Sequence, residues 1–157
     1  MATTKQPRVT IGSISAGTLK TKDLLDAFTN QLEYLTGKGH HLVAQYDQLL
    51  EDIEDNDDGT LDIETDDNAQ YLLEAITQAL EDLAPPLTYF GTLEGDGADF
   101  GFWPARDTIQ EAIQDAEEVE PGEYLSEDHG VVISVSDHGN ITVYTTTTPR
   151  IEIWSCV

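Results

Sequence analysis

Residues 40–83, HHLVAQYDQLLEDIEDNDDGTLDIETDDNAQYLLEAITQALEDL, decide how this chain is read. Two apolar stripes at helical spacing run through the stretch. The first is Leu42, Val43, Tyr46, Leu49, Leu50 and Ile53; the second is Ala69, Leu72, Leu73, Ile76, Leu80 and Leu83. An acidic connection separates them. Asp47, Glu51, Asp52, Glu54, Asp55, Asp57, Asp58, Asp62, Glu64, Asp66, Asp67, Glu74, Glu81 and Asp82 fall off the stripes and are expected to face water. No Lys or Arg occurs between His40 and Ala105. The stretch therefore predicts two amphipathic helices, each with one face for a core and the other strongly negative.

Working outward, Leu24, Leu25, Phe28, Leu32 and Leu35 predict a further helix before this pair, with Thr21 as its N-cap and an end near Thr36. A short strand is expected over 9–14. Pro85-Pro86 stops the third helix, because proline lacks an N–H and clashes with the preceding turn. Residues 87–92 read as a strand and 94–104 as a glycine-rich loop. Thr108 and Glu111 form a T-x-x-E capping box for a short fourth helix. Strands are expected over 130–136, 141–147 and 151–157, with a D-H-G-N turn at 137–140. Helices grouped away from strands predict an α+β fold: N-terminal helices and a short fourth helix packed against an antiparallel sheet that ends in a three-stranded meander. One domain over 1–157 is expected, with an acidic helical part at about 18–84 and a β-rich part at about 87–157.

The charge excludes more than it identifies. Thirty-one acidic residues against 7 basic ones give a formal net charge of −24. A protein that grips nucleic-acid phosphates needs Lys and Arg, so direct nucleic-acid binding is not expected, and neither are anionic membrane surfaces. An apolar content of 39% sets the chain apart from a disordered acidic tail. Three uses of the charge compete: solubility, adaptation to high salt, and imitation of a polyanion. The single cysteine, Cys156, fits a reducing compartment. The opening M-A-T-T-K-Q-P-R lacks a signal-peptide apolar run, so a cytoplasmic protein is expected.

Candidate chemistry is thin, and no catalytic residue, cofactor or metal is assigned. Placing Gly59 sixth in a calcium loop puts Glu54 first, Asn56 third, Asp58 fifth, Asp62 ninth and Thr65 twelfth. The twelfth position then lacks its bidentate carboxylate and the first has Glu for Asp, which argues against a calcium site. The segment G-D-G-A-D-F-G-F-W-P sets Asp96 and Asp99 beside Phe102 and Trp103, a secondary candidate either for contact with a partner or for a carboxylate-based hydrolase. His40, His41, His129 and His138 match no zinc spacing. Neither a G-x-S-x-G elbow nor a phosphate-binding loop occurs. On a helix, residues three or four apart lie about 5–6 Å from one another. Asp47, Glu51 and Glu54 or Asp55 therefore form a ladder of negative charge.

The segments G-D-G-A-D-F-G-F-W-P, S-D-H-G-N-I-T-V-Y and I-E-I-W-S-C-V together resemble small proteins of unknown activity carried by phages, plasmids and other mobile elements. The likeness covers about the C-terminal half and implies no catalytic residues. The acidic helices are similar in character to the DNA mimics among anti-restriction and anti-CRISPR proteins. That similarity implies a non-enzymatic inhibitor in the host cytoplasm whose partner is a basic nucleic-acid-binding defence protein. The thirteen acids from Asp47 to Glu81 would be its contact residues. The alternatives are a small protein-binding module that is acidic for solubility or salt tolerance, and the hydrolase.

Overall fold

The computed structural model describes residues 7–56 and 61–157. Its described residues form an α+β fold. β1 (Gly12–Ala16) precedes three helices, α1 (Thr21–Thr36), α2 (His41–Asp55) and α3 (Asp67–Asp82). β2 (Thr88–Leu93) and β3 (Asp96–Pro104) lead to α4 (Arg106–Asp115). Five strands follow: β4 (Glu117–Glu120), β5 (Glu123–Ser126), β6 (Val131–Val135), β7 (Ile141–Thr145) and β8 (Glu152–Cys156). β1, β3 and β2 form a three-stranded sheet in that order, and β4 to β8 form an antiparallel meander in chain order.

The chain divides into two compact units. The first holds Ser13–Leu83 and Phe90–Gly101; the second holds Val9–Gly12, Ala84–Tyr89 and Phe102–Val157. In the first, α1 packs on both α2 and α3. The predicted stripes supply the contacts: Leu24, Leu25, Phe28 and Leu32 from α1, Leu42, Val43, Tyr46 and Leu49 from α2, and Ala69, Leu72, Ile76 and Leu80 from α3 are buried. Phe28 meets Phe90 and Phe100 edge to face, with ring centres 5.0 and 5.4 Å apart. Such geometry sets the positive ring edge of one aromatic against the negative face of another. Leu83, expected on the buried stripe, is one residue past α3 and exposed.

In the second unit α4 packs on β5. Its core joins Leu87, Ile109, Ala112, Val131, Ile133, Val143 and Trp154. The Trp154 indole N–H donates to the Pro86 carbonyl at 2.8 Å, so the largest buried ring keeps its polar edge satisfied. Leu87, just beyond Pro86, has φ +65, a region a branched residue rarely enters. Its side chain is buried in the core and its carbonyl accepts from the Ala105 N–H at 2.9 Å; both interactions oppose the strain.

Five local expectations give way. The glycine-rich loop is mostly strand: only Glu94 and Gly95 turn, Gly95 at φ +87, and β3 starts at Asp96. Three aromatics within 100–103 favour extended backbone, and a central place between β1 and β2 supplies hydrogen-bonding partners on both sides. The first strand is β1, displaced toward Ala16, where the Gly17 N–H reaches the Ala98 carbonyl at 3.0 Å. Thr21 is the first residue of α1 rather than its cap; Lys20 precedes it and its side chain caps nothing. The Thr108–Glu111 capping box does not form, because α4 already begins at Arg106, with Ala105 at the N-cap. The meander has five strands, not three. β4 and β5 turn about Pro121-Gly122, with Gly122 at φ +77, the left-handed value expected at the second centre of a Pro-Gly turn.

Candidate interaction surface

α2 is capped by His40, whose Nδ1 accepts from the Leu42 N–H at 3.3 Å while its ring stacks on His41, centres 4.7 Å apart. With the apolar stripe turned inward, Asp47, Glu51, Asp52, Glu54 and Asp55 are all exposed. Asp52 accepts from the Gln48 amide at 2.9 Å. Among the described residues no basic side chain pairs with any of the five. The placement opposes helix stability. Helix C-termini carry partial negative charge, and carboxylates in the last turn raise the energy instead of lowering it. Like charges three or four residues apart add a few tenths of a kcal/mol per pair.

The remaining predicted contact residues separate by what they hold. Asp66 is the N-cap of α3 and accepts from the Ala69 N–H at 2.9 Å. Asp62 accepts from the Glu64 N–H at 3.0 Å. The Glu64 carboxylate spans the start of α1, accepting from the N–H groups of Thr21 at 2.8 Å and Lys22 at 3.1 Å. Those two bonds hold its carboxyl below the usual glutamate value. Glu81 accepts from the Phe90 N–H and so satisfies a donor of β2, at the edge of its sheet. Asp67 and Glu74 are exposed on α3. Asp57 and Asp58 lie outside the described residues, as does Gly59 of the rejected calcium alignment. No group of three or more His, Cys, Asp or Glu side chains among the described residues is arranged to hold a metal.

Inside the helical unit one polar cluster is strongly tuned. The Tyr46 hydroxyl donates to Asp26, which also receives the Lys22 ammonium at 2.7 Å. Burial pushes the Asp26 carboxyl up, yet the bonds from Lys22 and Tyr46 outweigh it and the group stays below its ordinary value. Burial, followed by the bond to Asp26, pushes the Tyr46 phenol well above the ordinary tyrosine value.

The secondary candidate is dispersed. Asp96 is exposed and accepts from the Ala98 N–H at 3.1 Å, closing a local turn. Asp99 lies three positions along the same strand. Side chains alternate faces there, so the two carboxylates point to opposite sides and do not converge on one bond. Phe102 is fully buried and Trp103 half-buried, which corrects the expectation of an aromatic contact loop.

One concavity had no counterpart in the sequence. A cavity of about 470 Å³ opens beside α4, β4 and the β5–β6 turn, lined in part by Glu111, Asp115, Glu117, Ser126, Asp128 and His129. Ser126 Oγ and His129 Nδ1 are 2.9 Å apart. Its residues come from two separate stretches, 108–117 and 125–129, so no contiguous motif announces it.

No protein-family model, no curated protein and no solved structure matches the chain. No helix among the described residues is long and apolar enough to cross a membrane.

Proposed function

We propose that this chain is a non-enzymatic acidic inhibitor that imitates nucleic acid and occupies the cleft of a basic DNA- or RNA-binding host defence protein, in the manner of anti-restriction and anti-CRISPR proteins. The observation that carries this reading is the C-terminal half of α2. There Glu51, Asp52, Glu54 and Asp55 are exposed and, among the described residues, without basic partners, on a helix terminus whose dipole opposes them. Solubility needs dispersed charge and gains nothing from this placement. An ordered row of carboxylates offers a basic cleft what a phosphate backbone offers it, fixed negative charge at repeated spacing. Asp67 and Glu74 extend the surface along α3. Asp62, Glu64, Asp66 and Glu81 hold the scaffold that presents it. The mobile-element resemblance of the C-terminal half supplies the kind of target.

The test is a pull-down from a host lysate followed by competition. A nucleic-acid-binding partner is expected, displaced by duplex DNA and released as ionic strength rises, because exposed charge pairs are screened. A partner held equally at low and high salt overturns mimicry.

A further inference from the structure

The five-stranded sheet of the second unit ends on one side at β4. Among the described residues β4 pairs only with β5, through Glu117 with Leu125, Glu118 with Tyr124 and Glu120 with Glu123. Among the described residues nothing pairs with its outer side, and all four of its residues are exposed. Alternate residues of such a strand turn N–H and C=O groups outward, ready to pair with an extended segment of another chain. We propose that the outer edge of β4 receives an extended, lysine- or arginine-bearing segment of a partner protein as an added strand.

Charge selects the occupant. Glu117, Glu118 and Glu120 make β4 three-quarters carboxylate, so a second copy of this chain laid against it would face like charges directly across the ladder. The register shift between Glu118 and Glu120 twists the edge further from self-pairing. Both devices act against copies, and the first acts in favour of a basic strand. An edge of four residues offers too few hydrogen bonds to hold a peptide by itself. The added attraction comes from the β4 glutamates and from the adjoining cavity. That cavity begins at Glu117 and its cross-strand neighbour Leu125, and it carries Glu111, Asp115, Glu127 and Asp128 with no Lys or Arg in its lining. A cleft lined by one sign of charge focuses its field on an entering cation. The donors are not grouped closely enough for a metal ion, whereas a long cationic side chain spans them.

The inference is independent of the function proposed for α2, and its test keeps the two apart. The probe is a capped six-residue peptide alternating Lys and Val, titrated against the whole protein by calorimetry. Two N-methylated versions are compared with it, one methylated on the Lys residues and one on the Val residues. An added strand uses only one alternation for hydrogen bonds, so one version is expected to lose about tenfold or more in affinity while the other keeps it. Replacing Glu117→Gln together with Glu120→Gln is expected to weaken the parent peptide by about tenfold. Glu118 is left in place because its carboxylate accepts from the Gly122 N–H at 3.1 Å. Neutralising Asp47, Glu51, Glu54 and Asp55 on α2 should leave peptide binding unchanged. The proposal is overturned if the parent peptide does not bind or if both methylated versions behave alike. It is equally overturned if the α2 substitutions weaken the peptide and the β4 ones do not.

Discussion

Gly122 and Val135 meet backbone to backbone: the Val135 N–H donates to the Gly122 carbonyl at 2.8 Å, and a β-carbon on Gly122 would stand 2.8 Å from the Val135 carbonyl oxygen. Gly122 also has φ +77, where a side chain costs about 1–2 kcal/mol before any clash. Gly122→Ala is therefore expected to destabilise the protein by more than Gly139→Ala. Gly139 has φ +82 with no atom near its missing side chain, so it loses the conformational part alone. Urea unfolding of the two variants decides it, and equal losses would show that the Val135 contact yields freely.

Trp154 tests the core of the meander. Trp154→Phe keeps most of the ring but leaves the Pro86 carbonyl without its donor, an expected loss of about 1–3 kcal/mol. Trp154→Ala adds a large void at a side chain that is 1% exposed, for about 3–5 kcal/mol in all. A Phe variant as stable as the parent would mean that water replaces the indole.

On α2, Asp47, Glu51, Glu54 and Asp55 are exposed and hold no other element. Reversing all four to Lys should change stability little, or raise it slightly, because cations suit the C-terminal end of the helix and the protein's excess of negative charge falls. The same change should abolish binding to the nucleic-acid-binding partner. Asp96→Asn with Asp99→Asn should leave that binding nearly intact. The opposite order of damage, measured by pull-down, removes the basis for mimicry by α2.

Acid and alkali act on different clusters. Asp26 and Glu64 both titrate below their ordinary values in the fold. Each stabilises the fold above its unfolded value, and the gain fades as pH falls through the lowered folded value. Stability should therefore begin to drop as pH falls below about 4.5, the ordinary Glu value, and drop further past 3.8, the Asp value. Glu64→Gln should flatten the first part of that loss. Tyr46 is shifted the other way: the unfolded chain ionises near 10 while the folded phenol stays protonated, so stability falls as pH climbs above 10. Phenolate absorbance should show one tyrosine ionising after the rest, and Tyr46→Phe should remove that last step. The same variant should lose about 1.5–3 kcal/mol at neutral pH, the range for a hydrogen bond to a charged group.

The helices were legible because their apolar period survives packing unchanged: all twelve α1–α3 residues buried in the core lie on the stripes that a helical projection of the sequence reveals. β4 was hidden, since E-E-V-E has neither alternation nor strand-forming composition and owes its conformation to pairing with β5. Residues 96–104 were misread because glycines speak for turns locally, whereas the central place in a sheet is set by strands far away in sequence. In the candidate site, the exposed acids of α2 could be picked out by subtraction from the stripe. The internal duties of Glu64 and Glu81 could not, because their partners Thr21 and Phe90 are fixed by tertiary structure alone.

The hydrogen bond from Thr21 to Glu64 joins residues 43 apart, and Lys20 gives α1 no cap of its own. During synthesis α1 is fully made while the group that completes it is still inside the ribosome. Its first turn must wait for the segment before α3 to emerge, so early folding of α1 leaves that end frayed. In the finished protein the Thr21 and Lys22 amides should resist hydrogen exchange as a pair with the α3 cap, opening only when residues 62–66 detach, and not by the end-fraying that terminal helix amides usually show.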